Sequence, residues 1–331
     1  MKKIITYIIT ALLTFLCLTV QASTKPVVID TDASTDDAIA LLYLLHISDI
    51  DIKAIIIDRN GGSSPNTAGG HIGYLLKMAN KSQIPVYMGL EKKAVYHNVY
   101  PTWLDNLVDK SFGNHSVPPT QVINKNELVT LIQSQPQPIY LLSLGSLTNI
   151  ADLLQQYPGI KTKIAGITIM GGAIDTAGNI PVLQPKNKNS YAEWNVYVDP
   201  VAFEQVLQSQ LPITLVSLDI TNNVPVTMTF MNQLKQQQTT AASQFVYQLL
   251  EQNMYWIEHN QYDFWDPLAA YVLAHPEQVT VEQKRIQTVL THNTHFGQLT
   301  DTPDGYPVHM VKKLDPNVFE SSLLTALGQR S

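Results

Sequence analysis

The sequence predicts an α/β fold, an open and mostly parallel sheet with helices on both faces. Three observations predict it. Short apolar runs alternate with helical patterns through the first hundred residues. The runs are apolar throughout rather than every second residue, as strands covered on both faces are. Polar residues gather where runs end, at Asp30 and Asp32, at Asn60, over 145–149, over 170–172 and at Asp219. In open α/β sheets that edge carries the ligand site.

In chain order, 27–29 reads as a buried strand and 36–45 as a helix capped by Thr35 or Asp36. Residues 52–57 form the next strand, 69–79 a helix and 85–87 a short strand. Residues 91–120 hold Tyr96, His97, Tyr100, Trp103 and His115 among prolines and read as a loop over a site. Strands follow at 139–144, 164–170 and 213–218, with helices at 150–157 and 199–208. Residues 175–190, rich in Asn, Lys, Pro and Gly, read as an exposed loop. Phe245, Leu249, Leu250, Met254 and Ile257 mark one face of a helix, and 266–274 is another. The tail predicts a strand pair, 286–291 with 308–311, and a final helix after Asp315.

The chain has 331 residues, 45% hydrophobic and 15% charged, enough for a large core. No repeat or composition break divides it, so 23–331 reads as one domain. A net charge of −6 argues against a nucleic-acid partner. Lys2 and Lys3 precede an apolar run over 4–20, and Val20-Gln21-Ala22 ends it as a signal-peptidase site would. The expectation is a leader over 1–22, cleaved after Ala22, and an exported protein, periplasmic or secreted, without stable membrane association. Cys17, the only cysteine, lies in that leader. The mature chain then has no disulfide or thiolate chemistry and relies on its core.

The stretch from Asp30 to Asp37 holds four carboxylates after a buried strand. Acids packed this closely need a positive counterweight, and a hard divalent cation is the simplest. Taken singly, other residues read blandly: Trp103 and Trp265 as packing aromatics, Met170 as core, Glu193 and Asn195 as a solvated strand edge, Asn149 as a helix cap. The histidines share no metal-ligand spacing; His97 and His259 are candidate rim groups.

Asp30-Thr31-Asp32-Ala33-Ser34-Thr35-Asp36-Asp37 is similar to the aspartate signature of the nucleoside hydrolases, the inosine-uridine-type ribohydrolases, usually D-x-D-P-G-x-D-D. The resemblance continues in order through Asn60, Pro85-Val86-Tyr87-Met88-Gly89, Leu144-Gly145-Ser146-Leu147-Thr148-Asn149 and Met170-Gly171-Gly172. It ends with Gly178-Asn179, Ala192-Glu193-Trp194-Asn195-Val196-Tyr197-Val198-Asp199-Pro200 and Trp265-Asp266-Pro267-Leu268-Ala269, covering about 26–325.

The resemblance implies that family's Rossmann-like nucleoside hydrolase fold and a Ca²⁺ site of oxygen donors: Asp32, Asp37, Asp266 and the carbonyl of Leu144. It implies Asp32 as the base that deprotonates a water acidified by the cation. Asp36, Asn60, Asn179, Glu193 and Asn195 would hold the ribose, with Met170 beneath it and Asp30 as a support. The substrate would be a nucleoside cleaved through an oxocarbenium-like sugar, and the protein a homo-oligomer, dimer or tetramer. Two departures stand out. Ala33-Ser34 replaces Pro-Gly, and Trp265 stands where many members carry His. Trp in that place marks the purine-preferring branch, and Trp103 would supply the opposing indole, so purine nucleosides are expected. Other classes remain: a haloacid-dehalogenase-type phosphatase, on Asp30-x-Asp32, and an exported nucleoside-binding protein without catalysis.

Overall fold

The computed structural model describes residues 24–90, 100–113 and 115–329. The expected leader, Tyr96 and His97 lie outside the described residues.

The amino-terminal half winds as β1 (Lys25–Thr31), α1 (Thr35–Leu45), β2 (Ile50–Ile57), α2 (Ala68–Met78), β3 (Val86–Met88), α3 (Thr102–Ser111), β4 (Val122–Ile123), α4 (Lys125–Ser134), β5 (Ile139–Ser143) and α5 (Thr148–Gln156). Then come β6 (Ile164–Met170), α6 (Ile180–Leu183), α7 (Trp194–Val198), α8 (Pro200–Leu207), β7 (Ile213–Val216) and α9 (Leu218–Thr221). The tail adds α10 (Met228–Gln236), α11 (Ala241–Gln252), α12 (Met254–Glu258), α13 (Trp265–Ala274), β8 (Thr280–Thr288), β9 (Leu299–Asp301), β10 (Tyr306–Lys313) and α14 (Pro316–Leu327).

The strands form a ten-stranded sheet in the order β4-β3-β2-β1-β5-β6-β7-β10-β8-β9. Neighbours from β4 to β10 are parallel; β8 runs antiparallel to β10 and β9 to β8. The chain winds outward from β1 to β4, returns to β5, and winds the other way. The switch therefore lies between β1 and β5, where Asp30 pairs with Ser143. A ligand crevice opens at such a switch.

Core fills both faces of the sheet. One layer joins α1, α2, α11, α13 and α14; the other joins α4, α5 and α8. Every residue of α1 except Asp36 is buried, as expected for a helix apolar all round.

Several local expectations change. Ser34, not Thr35 or Asp36, is the N-cap of α1, in a capping box with Asp37. Asn149 caps nothing; its amide donates to Asp30 at 3.1 Å and its oxygen accepts the N–H of Leu90 at 2.8 Å. The segment read as a loop over 91–120 contains α3, and 175–190 contains α6 with Ile180 and Asn189 buried. The helical face running from Phe245 to Ile257 is broken at Asn253, whose amide donates to the carbonyl of Leu249 at 2.8 Å and competes with the helical ladder.

Candidate active site

The loop leaving β1 builds the acidic floor. Ala33 takes φ +59°, which turns the chain sharply so that Ser34 can open α1. Asp36 and Asp37 then occupy its first turn, where the helix N-terminus favours negative charge. Asp37 accepts the hydroxyl of Thr31 and the N–H and hydroxyl of Ser34, the last at 2.9 Å. Ser34 also donates to Asp36. Asp266 sits in the first turn of α13, which packs against α1. Two helix starts thus converge.

One carboxylate oxygen each from Asp36, Asp37 and Asp266 lies within 4.8 Å of the others. Asp32, also on the floor, accepts the N–H of Gly62 at 2.9 Å and of Ser34 at 3.2 Å. A Cβ on Gly61 would sit 1.9 Å from the Cβ of Asp32, so only glycine permits that approach. Burial, and next the charge of Asp37, push Asp32 and Asp266 well above the usual carboxylate range. Asp36 is raised to about 7 for the same reasons. Every charge acting on these acids is another carboxylate. Asp266 Oδ1 is buried without a hydrogen-bond partner among the described residues. An orphaned carboxylate oxygen among like charges, with all-oxygen donors around it, fits a hard divalent cation such as Ca²⁺.

Of the expected ligands, Asp37 and Asp266 lie in this carboxylate group, while Asp32 and Leu144 line the cavity outside it. Asp36, expected on the ribose, joins Asp37 and Asp266. Leu144 lines the same cavity, and its carbonyl accepts the amide of Asn195 at 3.2 Å.

The cavity has a volume of about 550 Å³. Asp32, Asp36, Asp37, Leu144, Met170, Asn179, Glu193, Asn195, Trp103, Trp265 and Asp266 all line it. Asn60 does not. Its amide and N–H donate to Asp58 at 2.8 and 3.0 Å, and the amide reaches the carbonyl of Leu90 at 3.3 Å. Asp58 is fully buried, so it holds these donors and turns Asn60 inward. His259 is likewise absent from the lining; its Nδ1 lies 2.6 Å from the carbonyl of Tyr255.

Glu193 and Asn195 are no solvated edge. Glu193 caps α7 and accepts the N–H groups of Asn195, Val196 and Gly172. Asn195 donates to the carbonyl and sulfur of Met170 at 3.2 and 3.4 Å. Asn179 accepts the N–H of Trp194 at 3.1 Å.

The aromatic half of the cavity differs from the expected pair. Trp103 is near-parallel to Trp256, not Trp265, with centroids 6.4 Å apart and planes at 13°. Trp265 leans on Tyr262 at 5.2 Å. Tyr100, stacked on Trp194 at 4.6 Å, donates to Asn195 at 3.3 Å. Gly62, Tyr100, Trp256 and Asp263 also line the cavity and were not singled out as site residues by sequence. The Gly61-Gly62 pair at a strand end was the available signal; Trp256 and Asp263 had none.

Comparison with known proteins follows this geometry. A model of the family described as inosine-uridine preferring nucleoside hydrolase matches residues 27–321. The pyrimidine-specific ribonucleoside hydrolase RihA of Salmonella arizonae is 32% identical over 209 residues, 61% of this chain and 62% of that protein. The chain thus spans under two thirds of the length of the curated relatives it matches. Among solved structures, the inosine-uridine preferring nucleoside hydrolase of Bacillus anthracis shares the fold at TM-score 0.81 and 22% identity, over 92% of this chain and 99% of that one. The purine-preferring ribonucleoside hydrolase of Gardnerella vaginalis does so at TM-score 0.76 and 20% identity, over 92% and 98%. With the family match running from the first strand into the last helix, this chain belongs to the inosine-uridine preferring nucleoside hydrolases.

Proposed function

We propose that the protein hydrolyses the N-glycosidic bond of ribonucleosides to ribose and free base, depends on a divalent cation, and favours purines. The observation that carries this reading is Asp266 Oδ1, without a hydrogen-bond partner among the described residues, beside Asp36 and Asp37 at the floor of a cavity walled by indoles. Asp32, Asp37, Asp266 and the Leu144 carbonyl would hold the cation, Ca²⁺ by its donor set, which supplies Lewis acidity and acidifies a water.

Asp32 accepts the proton of the attacking water; burial and Asp37 raise its proton affinity in that direction. Asp36, Asn179, Glu193 and Asn195 bind ribose hydroxyls and fix the anomeric carbon toward the water. The carboxylates also favour the positive charge that develops on the sugar. Met170 packs beneath the ring. Trp103, Trp256 and Trp265 offer flat apolar faces to the base, more of them than a single pyrimidine ring needs.

The test is release of free base from inosine, guanosine, uridine and cytidine, with and without chelator. Cation-dependent release, faster from purines, supports the reading; failure on all four overturns it. Pyrimidine preference is a second reading, favoured by the name of the curated relatives, and faster uridine turnover would select it. We also propose that residues 1–22 are an export signal cleaved after Ala22. A mature protein beginning at Ser23 supports this, and an intact Met1 on the exported protein overturns it.

A further inference from the structure

Asp263 is a carboxyl the proposed reaction does not use. It lies in the segment leading into α13 and forms a single antiparallel bridge with Pro225. Four cavity-lining residues of that segment differ in burial: Asn260 and Gln261 are exposed, Asp263 is half-buried and Asp266 is buried on the floor. Phe264, the N-cap of α13, is buried in the core, while Asp263 before it and Trp265 after it are both half-buried and both line the cavity. Asp263 therefore sits beside the indole half.

Its surroundings leave it unanswered. Among the described residues no hydrogen bond or ion pair engages its carboxyl. Pro225 across the bridge has no N–H to offer, and the hydroxyl of Tyr262 is paired with Thr35 at 2.9 Å. A polar group withdrawn from water without a partner is costly, and a ligand that brings one offsets that cost. Burial raises the carboxyl to about 6, so a protonated fraction persists toward neutral pH.

We propose that Asp263 is the general acid that protonates the departing base. As water adds to the anomeric carbon and gives a proton to Asp32, the C–N bond breaks and its electron pair passes to the base. The Asp263 carboxylic acid gives its proton to a ring nitrogen of that base and becomes a carboxylate. Exchange with solvent then returns a proton to Asp263 and removes one from Asp32, so the sum is nucleoside plus water to ribose plus base. This rests on the nucleoside hydrolase reading above.

The experiment compares wild type and Asp263→Asn on the best nucleoside of the panel and on para-nitrophenyl riboside, whose phenolate leaves without a proton. The expected result is a loss in kcat of about 100-fold or more on the nucleoside, with kcat on the nitrophenyl riboside changed by less than about threefold. The second substrate also shows that the variant is folded. Equal losses on both substrates, unchanged kcat on both, or a change confined to KM would overturn the assignment. Wild type inert toward both substrates would instead remove the nucleoside hydrolase reading itself.

Discussion

Ala33 has φ +59°, a region that costs a side-chain-bearing residue roughly 1–2 kcal/mol. Proline, the signature residue at this place, is locked near −65°, so the turn here is not the one the signature encodes. The Ala33 N–H also donates to Thr31 at 3.1 Å. Ala33→Pro is therefore expected to lower stability by about 1–3 kcal/mol in urea denaturation, and Ala33→Gly to stay within about 1 kcal/mol. Equal losses would place the constraint in the buried methyl instead. At the neighbouring position, Asp32→Asn keeps the shape but cannot take a proton. Its kcat should fall by about 100-fold or more while nucleoside binding by calorimetry persists; turnover near the wild-type rate would reject Asp32 as base.

Single elements carry roles that their own residues do not announce. The helix α3 shows mixed polarity with little buried beyond Val108 and Ser111, and so it reads as loop. It places Trp103, 42% exposed, in the cavity lining. Trp103→Ala removes a stacking face worth about 1–3 kcal/mol. The expected outcome is a 5- to 100-fold drop in kcat/KM on purine nucleosides, roughly, with an unchanged melting temperature. A fall in melting temperature instead would make the indole structural. The short helix α7 was also hidden: five residues with a carboxylate at the cap leave no periodicity to detect. Long apolar runs such as 164–170 were read to the residue, because burial on both faces leaves an uninterrupted signal.

At the scale of the molecule, uncompensated carboxylates link stability to pH. Burial raises Asp36 to about 7 and Asp58 to about 6, above the ordinary carboxylate range. The folded state holds protons that the unfolded chain has released, so stability of the cation-free protein falls as pH rises from about 4 to about 7. Melting curves in chelator should show that decline; a rise over the same window would contradict the buried-acid geometry. Divalent cation at about 100 times its Kd should raise the melting temperature by roughly 5–10 °C at neutral pH. No shift would mean the acids hold no ion in the folded state.

The order of elements, the parallel sheet and the acidic loop follow from the sequence by itself, because burial on both faces and like charges after a strand are local, readable patterns. Its ordered motifs likewise carry the family and the polar floor of the cavity. Only the tertiary structure decided which acids converge, since Asp36 and Asp266 are 230 positions apart and meet through the packing of α1 on α13. The same holds for Asn60, turned away by a buried Asp58, and for Trp256 and Asp263, which reach the cavity through a break at Asn253 and an extended bridge to Pro225. Contacts between distant segments depend on how whole layers pack, and no local pattern of residues records that.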